Sequence, residues 1–281
     1  MTPPLVTATW LAEHAGDPVL RIIDTRWYLL EPERGHAEYH AGHIPGAVYL
    51  NIDGDLAAPV GSGPGRHPLP SAEQFAEVCR RAGINADTHV IAYDIPNGMA
   101  ATRLWWLLRY YGHQHVSLLD GGWQAWLAAG LPVTDAVITP PPGSFIPQPQ
   151  AGMIVDASDV EALRHDPQVL LLDARAAERY AGYVEPIDRR AGHIPGAVSA
   201  PYAGNLAEDG RMRSAEDLAA RYRALGAADA RQIVCYCGSG VSATHTIFAL
   251  QLAGYTALLY PGSWSDWSSD PARPIATGDQ P

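Results

Sequence analysis

One short segment near the C-terminal end, "IVCYCGSGVSATHT" at residues 233–246, has residue types suited to nucleophilic chemistry. Cys237 follows an apolar run, and Gly238 and Gly240 stand shortly after it. Glycines allow consecutive backbone N–H groups to curl around one point. The residues that follow have helical periodicity, which would direct the positive end of a helix at the same point. Both features stabilise an anion, so the pattern predicts that Cys237 acts as a thiolate nucleophile.

The other two cysteines stand in different contexts. Cys235 lies inside the apolar run and Cys79 lies on an amphipathic segment, so both are expected to be structural, although the spacing of Cys235 and Cys237 leaves a redox role of that pair open. Three cysteines are too few for a disulfide framework or a four-ligand zinc site. The alternative for Cys237, a small buried apolar residue, gives no reason for the glycines that follow it.

The composition limits the class of protein. The 281 residues are 47% apolar and 17% charged, as in ordinary globular proteins. No run approaches the ~20 apolar residues that span a bilayer, and the first residues lack the pattern of a secretion signal, so we expect a cytoplasmic protein without membrane contact. The net charge of -11 argues against binding of nucleic acid. The chain contains no lysine, which excludes Schiff-base catalysis and requires that any cationic group for an anionic ligand be arginine.

The chain repeats itself. The octapeptide "AGHIPGAV" occurs at 41–48 and again at 191–198, and further pairs of similar segments surround it in the same order. These pairs are "IIDTR" and "LLDAR", "VIAYD" and "IVCYC", and "LLDGGWQAW" and "LYPGSWSDW". We therefore predict two homologous domains, at 1–138 and 151–281, joined by a proline-rich linker at 139–150.

Each copy alternates apolar runs with amphipathic segments. In the first copy, strands are expected at "VLRIID", "HVIAYD" and "VSLL", and helices at "TATWLAEHA", "SAEQFAEVCRRAG", "MAATRLWWLLRYYG" and a short aromatic segment. This alternation predicts an α/β fold in which a mainly parallel sheet is flanked by helices on both faces. Ligands of such sheets bind beyond the carboxyl ends of the strands, and Cys237 stands at such an end.

Over nearly its whole length the chain resembles the two-domain rhodanese sulfurtransferases. The resemblance rests on "GHIPGA" in both halves, on the endings "GGWQAW" and "GSWSDW", and on the loop "CGSGVSA" in the second half alone. This loop is most similar to the "CGSGVTA" type of the 3-mercaptopyruvate sulfurtransferases, with Ser242 in place of threonine, and it lacks the basic residues of thiosulfate-specific rhodaneses. The resemblance implies two tandem rhodanese-like α/β domains.

The resemblance also implies a reaction. Cys237 would take sulfur from a small anionic donor, 3-mercaptopyruvate or alternatively thiosulfate, and hold it as a persulfide. The loop residues expected to surround the donor are Gly238, Gly240, Val241 and Ser242. The sulfur would pass to a thiol acceptor such as thioredoxin or a small thiol, or to cyanide in an assay, and no metal or other cofactor is implied. In the first copy Asp94 occupies the position of the cysteine, so that copy is expected to be catalytically inactive.

The donor is an anion, and arginine is the cation available to bind it. Arg179, in "DARAAERY", matches the substrate-binding arginine of the family's "DSRxxGRY" pattern, and a guanidinium can bind a carboxylate through two parallel hydrogen bonds. The mercaptopyruvate enzymes have a second arginine directly after an "EP" pair. Here Ile187 occupies that position, and Arg189 and Arg190 follow as candidates for the same role.

Ser239 stands two residues after Cys237, where its hydroxyl can face the donor. In the mercaptopyruvate-type family, a serine there is regarded as part of a proton relay with a histidine and an aspartate of the first domain, and the matching positions are His67 and Asp53. Breaking the C–S bond of 3-mercaptopyruvate leaves an enolate that needs a proton, whereas sulfite leaves thiosulfate as a stable anion. An ordinary loop role for His67 and a turn-capping role for Asp53 are the alternatives.

Two other classes of protein fit the sequence less well. A cysteine phosphatase needs an arginine six residues after its nucleophile, and Ala243 stands there, which excludes that class. A non-catalytic tandem module that binds or regulates a partner is less compatible with the intact loop and with Arg179. The histidines of the two "GHIPGA" segments, His43 and His193, occur in both copies and are therefore expected to stabilise a turn rather than to act as bases.

Overall fold

The computed structural model describes residues 2–281, which form two compact units. The first unit comprises the described residues up to Ala58, together with Pro70–Gln150 and Glu208–Arg211. The second comprises Pro59–Leu69, Ala151–Ala207 and Met212–Pro281. Each unit contains a parallel sheet with flanking helices, so the predicted α/β fold is confirmed.

The first unit has a five-stranded sheet in the order β1-β5-β4-β2-β3, with every pair parallel. The strands are β1 (Leu5–Val6), β2 (Leu20–Asp24), β3 (Val48–Tyr49), β4 (His89–Tyr93) and β5 (Val116–Leu119). The helices are α1 (Ala8–His14), α2 (Arg34–Ala41), α3 (Ala72–Arg81), α4 (Met99–Tyr110) and α5 (Gly122–Ala128). Ser71 and Gln74 form a capping box that fixes the start of α3.

The second unit has a four-stranded parallel sheet in the order β7-β6-β8-β9. The strands are β6 (Val169–Asp173), β7 (Val198–Ser199), β8 (Gln232–Tyr236) and β9 (Leu258–Leu259). The helices are α6 (Ala157–Leu163), α7 (Ala177–Tyr180), α8 (Ala215–Ala224), α9 (Ser242–Leu252) and α10 (Ser263–Trp267), with a 3₁₀ turn at Tyr202–Asn205. Ile154 forms a parallel bridge with Leu259, in the place that β1 holds beside β5 in the first sheet.

Three short elements of the first unit were not predicted from the sequence. The strands β1 and β3 have two residues each, too few to show a period. The helix α2 has the sequence "RGHAEYHA" and buries only Gly35 and Tyr39, so it has no apolar face that a periodicity argument could detect. Its position depends on packing rather than on its own pattern.

A buried ion pair follows the same strand in both units. In the second unit, Arg175 donates to both carboxylate oxygens of Asp173 at 2.6 to 3.1 Å and to the carbonyl oxygen of Gly192 at 2.6 Å. The matching residues of the first unit are Arg26, Asp24 and Gly42. A buried charge is tolerated only when it is paired and hydrogen-bonded. The pair therefore couples the "D-x-R" segment to the "GHIPGA" turn, which explains why the chain repeats the two together.

The histidines of these turns stack on tyrosines. His193 stacks on Tyr180 with ring centroids 3.8 Å apart, and its Nδ1–H donates to the Tyr180 carbonyl oxygen at 2.9 Å. His43 makes the same two contacts with Tyr39. Both histidines are fully buried, and burial lowers the pKa of His193. These are the contacts of residues that hold a turn in place.

Asp94 occupies the strand end of the first unit that corresponds to Cys237. Its Oδ1 accepts the N–H of Ile95 at 2.7 Å, and its Oδ2 accepts the N–H of Ala100, in the first turn of α4, at 2.8 Å. Burial raises the pKa of Asp94 to about 7, because the loss of hydration outweighs the stabilisation of the carboxylate by these N–H groups. The first unit has kept an anion-binding turn and fills it with its own carboxyl group.

We predict that Asp94 makes the stability of the protein depend on pH. The buried carboxyl keeps its proton up to about pH 7, whereas the ordinary pKa of an exposed aspartate is 3.8. Between these values the native state binds more protons than the unfolded state, so the free energy of unfolding falls as pH rises, by at most about 1.4 kcal/mol per pH unit. Asp94→Asn removes this dependence. Urea unfolding at several pH values measures this effect. As pH rises through this window, the free energy of unfolding of the variant should increase relative to that of the unmodified protein. A difference between the two free energies that is the same at every pH would contradict the prediction.

Candidate active site

Cys237 directly follows β8, the strand that lies between β6 and β9 in the second sheet. Its backbone is fixed by the turn that leads into α10. The Cys237 N–H donates to Ser263 Oγ at 3.1 Å, and the Trp264 N–H donates to the Cys237 carbonyl oxygen at 2.9 Å. The Cys237 side chain is 2% exposed. The thiol is therefore held at the carboxyl end of an inner strand, where parallel sheets bind their ligands.

The loop after Cys237 folds back onto its sulfur atom. The Gly240 N–H donates to Cys237 Sγ at 3.1 Å, and α9 begins two residues later at Ser242, with Val241 as its N-cap. Gly240 has a φ of +77°, and a Cβ on it would lie 2.5 Å from the carbonyl oxygen of Pro261, so no larger residue fits. The N–H donor and the helix N-terminus create a positive electrostatic potential at the sulfur.

The other two thiols are enclosed in the core. Cys235, in β8, and Cys79, in α3, are both fully buried, and burial raises the pKa of each thiol. All three cysteines are free of disulfides. A protonated, enclosed thiol is a poor nucleophile. Of the three, Cys237 is the one whose surroundings suit chemistry.

Residues 59–69 bring His67 to the loop within the second unit. His67 Nδ1 and Ser239 Oγ share a hydrogen bond of 2.7 Å, and both side chains are buried. Two of the three residues expected in a relay are thus in direct contact. Asp53 lies in the first unit, where its exposed side chain accepts a hydrogen bond from Trp27 Nε1 at 2.8 Å. A relay role for Asp53 stays a prediction.

Arg179, on α7, is held by two buried carboxylates. It donates to Glu185 through Nε at 3.2 Å and through Nη2 at 2.7 Å, and Nη2 also donates to Asp188 at 3.1 Å. Glu185 accepts a further hydrogen bond from Arg175 at 3.2 Å. The remaining nitrogen of Arg179, Nη1, would lie 3.5 Å from a Cβ on Gly238. The guanidinium of Arg179 is therefore beside the loop, with one nitrogen directed at the residue after Cys237.

The other two predicted arginines lie in different surroundings. Arg190 donates to four backbone carbonyl oxygens near the C-terminal end, those of Trp267, Ser268, Asp270 and Arg273. These bonds use every nitrogen of its guanidinium, so the contacts are those of a structural clamp and differ from the donor-facing role expected from the sequence. Arg189 is exposed and makes no hydrogen bond or ion pair with the other residues that the structure describes.

Three residues beside the loop were not indicated by the sequence motifs: Arg66, Asp188 and Ser263. Arg66 donates through Nη1 to Asp188 Oδ1 at 2.6 Å, and its Nη2 would lie 3.2 Å from a Cβ on Gly238. Nothing in the sequence next to Arg66 or Asp188 indicates this proximity. For Ser263 a signal existed, because the first repeat has Gly122 at the matching position.

Ser263 adopts a backbone conformation that glycine would favour. Its φ is 54°, and within residues 2–281 it is the one non-glycine residue with a positive φ. Gly122 has a φ of 56°, and a Cβ on it would overlap the carbonyl oxygen of Asp94. The left-handed conformation costs a non-glycine residue about 1–2 kcal/mol. In return, Ser263 Oγ accepts the Cys237 N–H and donates to the carbonyl oxygen of Tyr260 at 2.9 Å.

We predict unequal losses of stability for two substitutions of Ser263. Ser263→Ala keeps the strained φ and removes both hydrogen bonds, which leaves the buried Cys237 N–H without an acceptor, so the free energy of unfolding should fall by about 2–3 kcal/mol. Ser263→Gly removes the same bonds but relieves the strain. Its free energy of unfolding should therefore be about 1 kcal/mol higher than that of the alanine variant. Urea unfolding measures both, with the exposed Ser269→Ala as control. An alanine variant as stable as the unmodified protein would refute this role of Ser263.

Within residues 2–281, no helix combines the length and the apolar character needed to cross a membrane. The same residues contain no group of three or more histidine, cysteine, aspartate or glutamate side chains that could hold a metal ion.

Comparison with known proteins finds relatives over nearly the full length of the chain. A family model described as "Rhodanese-like domain" matches residues 7–129 and 156–270. A "Probable 3-mercaptopyruvate sulfurtransferase" of Pseudomonas aeruginosa is 46% identical, over 98% of both chains. A "Putative thiosulfate sulfurtransferase SseB" of Mycobacterium tuberculosis is 42% identical, over 98% of this chain and 97% of the other.

A solved structure is also similar to this chain over most of its length. The crystal structure of SseA from Escherichia coli, described as a 3-mercaptopyruvate enzyme with the "Rhodanese" fold, matches with a TM-score of 0.83 and 37% identity. The match covers 94% of this chain and 100% of the other. With both of its repeats matched by the family model and with full-length relatives of this similarity, the chain belongs to the rhodanese family.

Proposed function

We propose that the protein is a sulfurtransferase that moves a sulfur atom from 3-mercaptopyruvate onto Cys237 and then to a thiol. The observation that carries the proposal is the setting of the Cys237 thiol, with the Gly240 N–H 3.1 Å from its sulfur and the hydrogen-bonded pair Ser239 and His67 in the same loop region. The names of the relatives in P. aeruginosa and E. coli support this donor.

In the first half-reaction, the Cys237 thiolate attacks the sulfur of 3-mercaptopyruvate. A sulfur–sulfur bond forms, and the bond between that sulfur and C3 breaks with its electron pair left on carbon. The products are a persulfide on Cys237 and the enolate of pyruvate. The proton of the donor thiol moves from the persulfide to C3 of the enolate. The persulfide thereby becomes an anion and the enolate becomes pyruvate. Ser239 and His67 are proposed to move this proton, and the 2.7 Å hydrogen bond that they share supports this role.

In the second half-reaction, an acceptor thiolate attacks the outer sulfur of the persulfide. The sulfur–sulfur bond breaks, its electron pair returns to Cys237, and the acceptor leaves as a persulfide. Thioredoxin or a small thiol would serve as acceptor, and cyanide would leave as thiocyanate. The Gly240 N–H and the N-terminus of α9 stabilise the negative charge on Cys237 at the start and at the end of this cycle.

We assign catalysis to the second repeat, residues 151–281, together with His67. The first repeat, residues 1–138, carries Asp94 where the second carries Cys237, and a carboxyl group cannot hold sulfur as a persulfide. The first repeat is therefore proposed to be inactive, and residues 139–150 are proposed to be the linker.

Thiosulfate is the second candidate donor. The name of the M. tuberculosis relative favours it. Thiosulfate would use the same nucleophile and the same arginine, Arg179, but sulfite leaves as a stable anion and takes up no proton during the transfer. The two donors therefore differ in their need for Ser239 and His67.

We predict that Ser239→Ala lowers kcat/KM for 3-mercaptopyruvate by about 100-fold, a typical loss for a missing proton-transfer group. The kcat/KM for thiosulfate should change by only a few fold, because that donor needs no proton. Pyruvate and thiocyanate formation measure the two reactions side by side. Ser269→Ala serves as the unaffected control and Cys237→Ser as the variant without turnover.

Equal losses with both donors would remove Ser239 from the proton path. A higher kcat/KM for thiosulfate than for 3-mercaptopyruvate in the unmodified protein would make thiosulfate the donor. Turnover by Cys237→Ser would overturn the whole proposal.

A further inference from the structure

We propose that Arg66 is a second donor-binding arginine, which works beside Arg179 over the Cys237 loop and is held there by Asp188. This inference rests on the proposed sulfurtransferase function and names how the donor carboxylate is bound. Its starting point is Gly238, where an added Cβ would lie 3.2 Å from Arg66 Nη2 and 3.5 Å from Arg179 Nη1. Two guanidinium groups therefore meet at the residue next to Cys237.

The hydrogen bonds of the two guanidiniums leave their loop-facing nitrogens available. Asp188 accepts from Arg66 Nη1 at 2.6 Å and from Arg179 Nη2 at 3.1 Å, one bond for each carboxylate oxygen. Arg66 Nη2 and Arg179 Nη1, the nitrogens nearest Gly238, donate to no acceptor within residues 2–281. Arg66 Nε is also buried without an acceptor. Charged N–H groups that have no protein acceptor can donate to an anionic ligand, so Arg66 Nη2 and Arg179 Nη1 are both available to bind the donor.

The charges of the cluster support a functional role for Arg66. Its members are the cations Arg66, Arg175 and Arg179 and the anions Asp173, Glu185 and Asp188, all linked by ion pairs. Three positive and three negative charges balance. Without Arg66, the cluster would carry a net negative charge beside the loop that receives an anionic donor, and Asp188, which is 5% exposed, would lose one of its two partners.

The chain holds Arg66 rigidly in this place. Its N–H donates to Ser265 Oγ at 3.0 Å, which attaches the segment to α10. The preceding residue, Gly65, has a φ of +76°, and a Cβ on it would overlap the carbonyl oxygen of Gly262. Because this backbone is fixed and Asp188 holds the guanidinium, Arg66 loses little conformational entropy when it binds a ligand.

Arg66 also offers the second arginine that this sequence lacks at the position expected from its relatives. Ile187 stands where the related enzymes have their second arginine, Arg190 binds backbone carbonyls, and Arg189 is exposed. Two guanidinium nitrogens side by side suit the two oxygens of a planar carboxylate. The ligand is therefore the carboxylate of an α-keto acid donor, such as 3-mercaptopyruvate.

The test compares five forms of the full-length protein: unmodified, Arg66→Gln, Asp188→Asn, the double variant with both changes, and Arg231→Gln. Arg231 forms an exposed ion pair with Asp166 and precedes β8, at the strand end opposite Cys237, so it controls for loss of an Arg–Asp pair. Steady-state kinetics with 3-mercaptopyruvate give KM and kcat, and thermal unfolding reports whether each variant folds.

We expect Arg66→Gln to raise KM for 3-mercaptopyruvate by about 10-fold or more, as expected for a lost hydrogen bond to a charged group, with a smaller effect on kcat. Arg231→Gln should stay within about 2-fold of the unmodified protein. The double variant shows whether Arg66 binds the donor or only neutralises the charge of Asp188. If Arg66 binds the donor, KM stays high when Asp188 is also neutralised, and if Arg66 only neutralises Asp188, the double variant recovers.

Recovery of KM in the double variant, or a KM of Arg66→Gln equal to that of Arg231→Gln, would overturn this proposal and leave the sulfurtransferase function intact. Inactivity of the unmodified protein with every sulfur donor would overturn both. Should Arg66→Gln fail to fold, Arg66→Lys keeps the charge beside Asp188 but has a single nitrogen, which cannot bind Asp188 and the donor as the two Nη atoms do, and an increase in KM is again expected. A second readout is the affinity of Cys237→Ser for pyruvate, measured by calorimetry, which Arg66→Gln should weaken by a similar factor.

Discussion

The hydrogen bond from the Gly240 N–H to the sulfur of Cys237 is the interaction on which the rest of the site depends. The loop can form it because Gly240 adopts a positive φ in a place where the Pro261 carbonyl leaves no room for a side chain. The sulfur stays in place because Ser263 and Trp264 bind the backbone of Cys237 on both sides. Because the sulfur is fixed in this way and faces the Gly240 N–H, the proposed change between thiolate and persulfide needs no movement of the chain.

The two repeats show which features serve the fold and which serve the chemistry. Both contain the buried Asp–Arg pair, the stacked histidine and the parallel sheet, so these features belong to the scaffold. The repeats differ at the end of the inner strand and in the turn that binds it. Cys237 and Ser263 in the second repeat stand where the first has Asp94 and Gly122. The second repeat thus tolerates a strained serine whose hydroxyl supports the nucleophile, whereas the first repeat has a relaxed glycine and a buried carboxyl group that titrates near neutral pH.

The sequence was most informative where the chemistry is local. The glycines after Cys237, the repeated motifs and the alternation of apolar runs with amphipathic segments led to the fold, the family and the proposed nucleophile. The partners of the arginines could not be predicted, because they depend on segments that are distant in the chain. Arg66 reaches Gly238 only because residues 59–69 pack with the second unit, and Arg190 binds carbonyl groups that no side-chain pattern records. Ser263 could have been found by comparing the two repeats position by position.

The proposed function requires that Cys237 carry the sulfur atom between donor and acceptor. The most direct test is to mix the protein with 3-mercaptopyruvate in the absence of acceptor, block free thiols with an alkylating reagent, and determine the masses of the cysteine-containing peptides. We expect the Cys237 peptide to gain the mass of one sulfur atom, the Cys79 peptide to stay unchanged, and cyanide to remove the added mass. A sulfur atom found on another residue would contradict this role of Cys237. So would the formation of one pyruvate per protein molecule without any sulfur bound to Cys237.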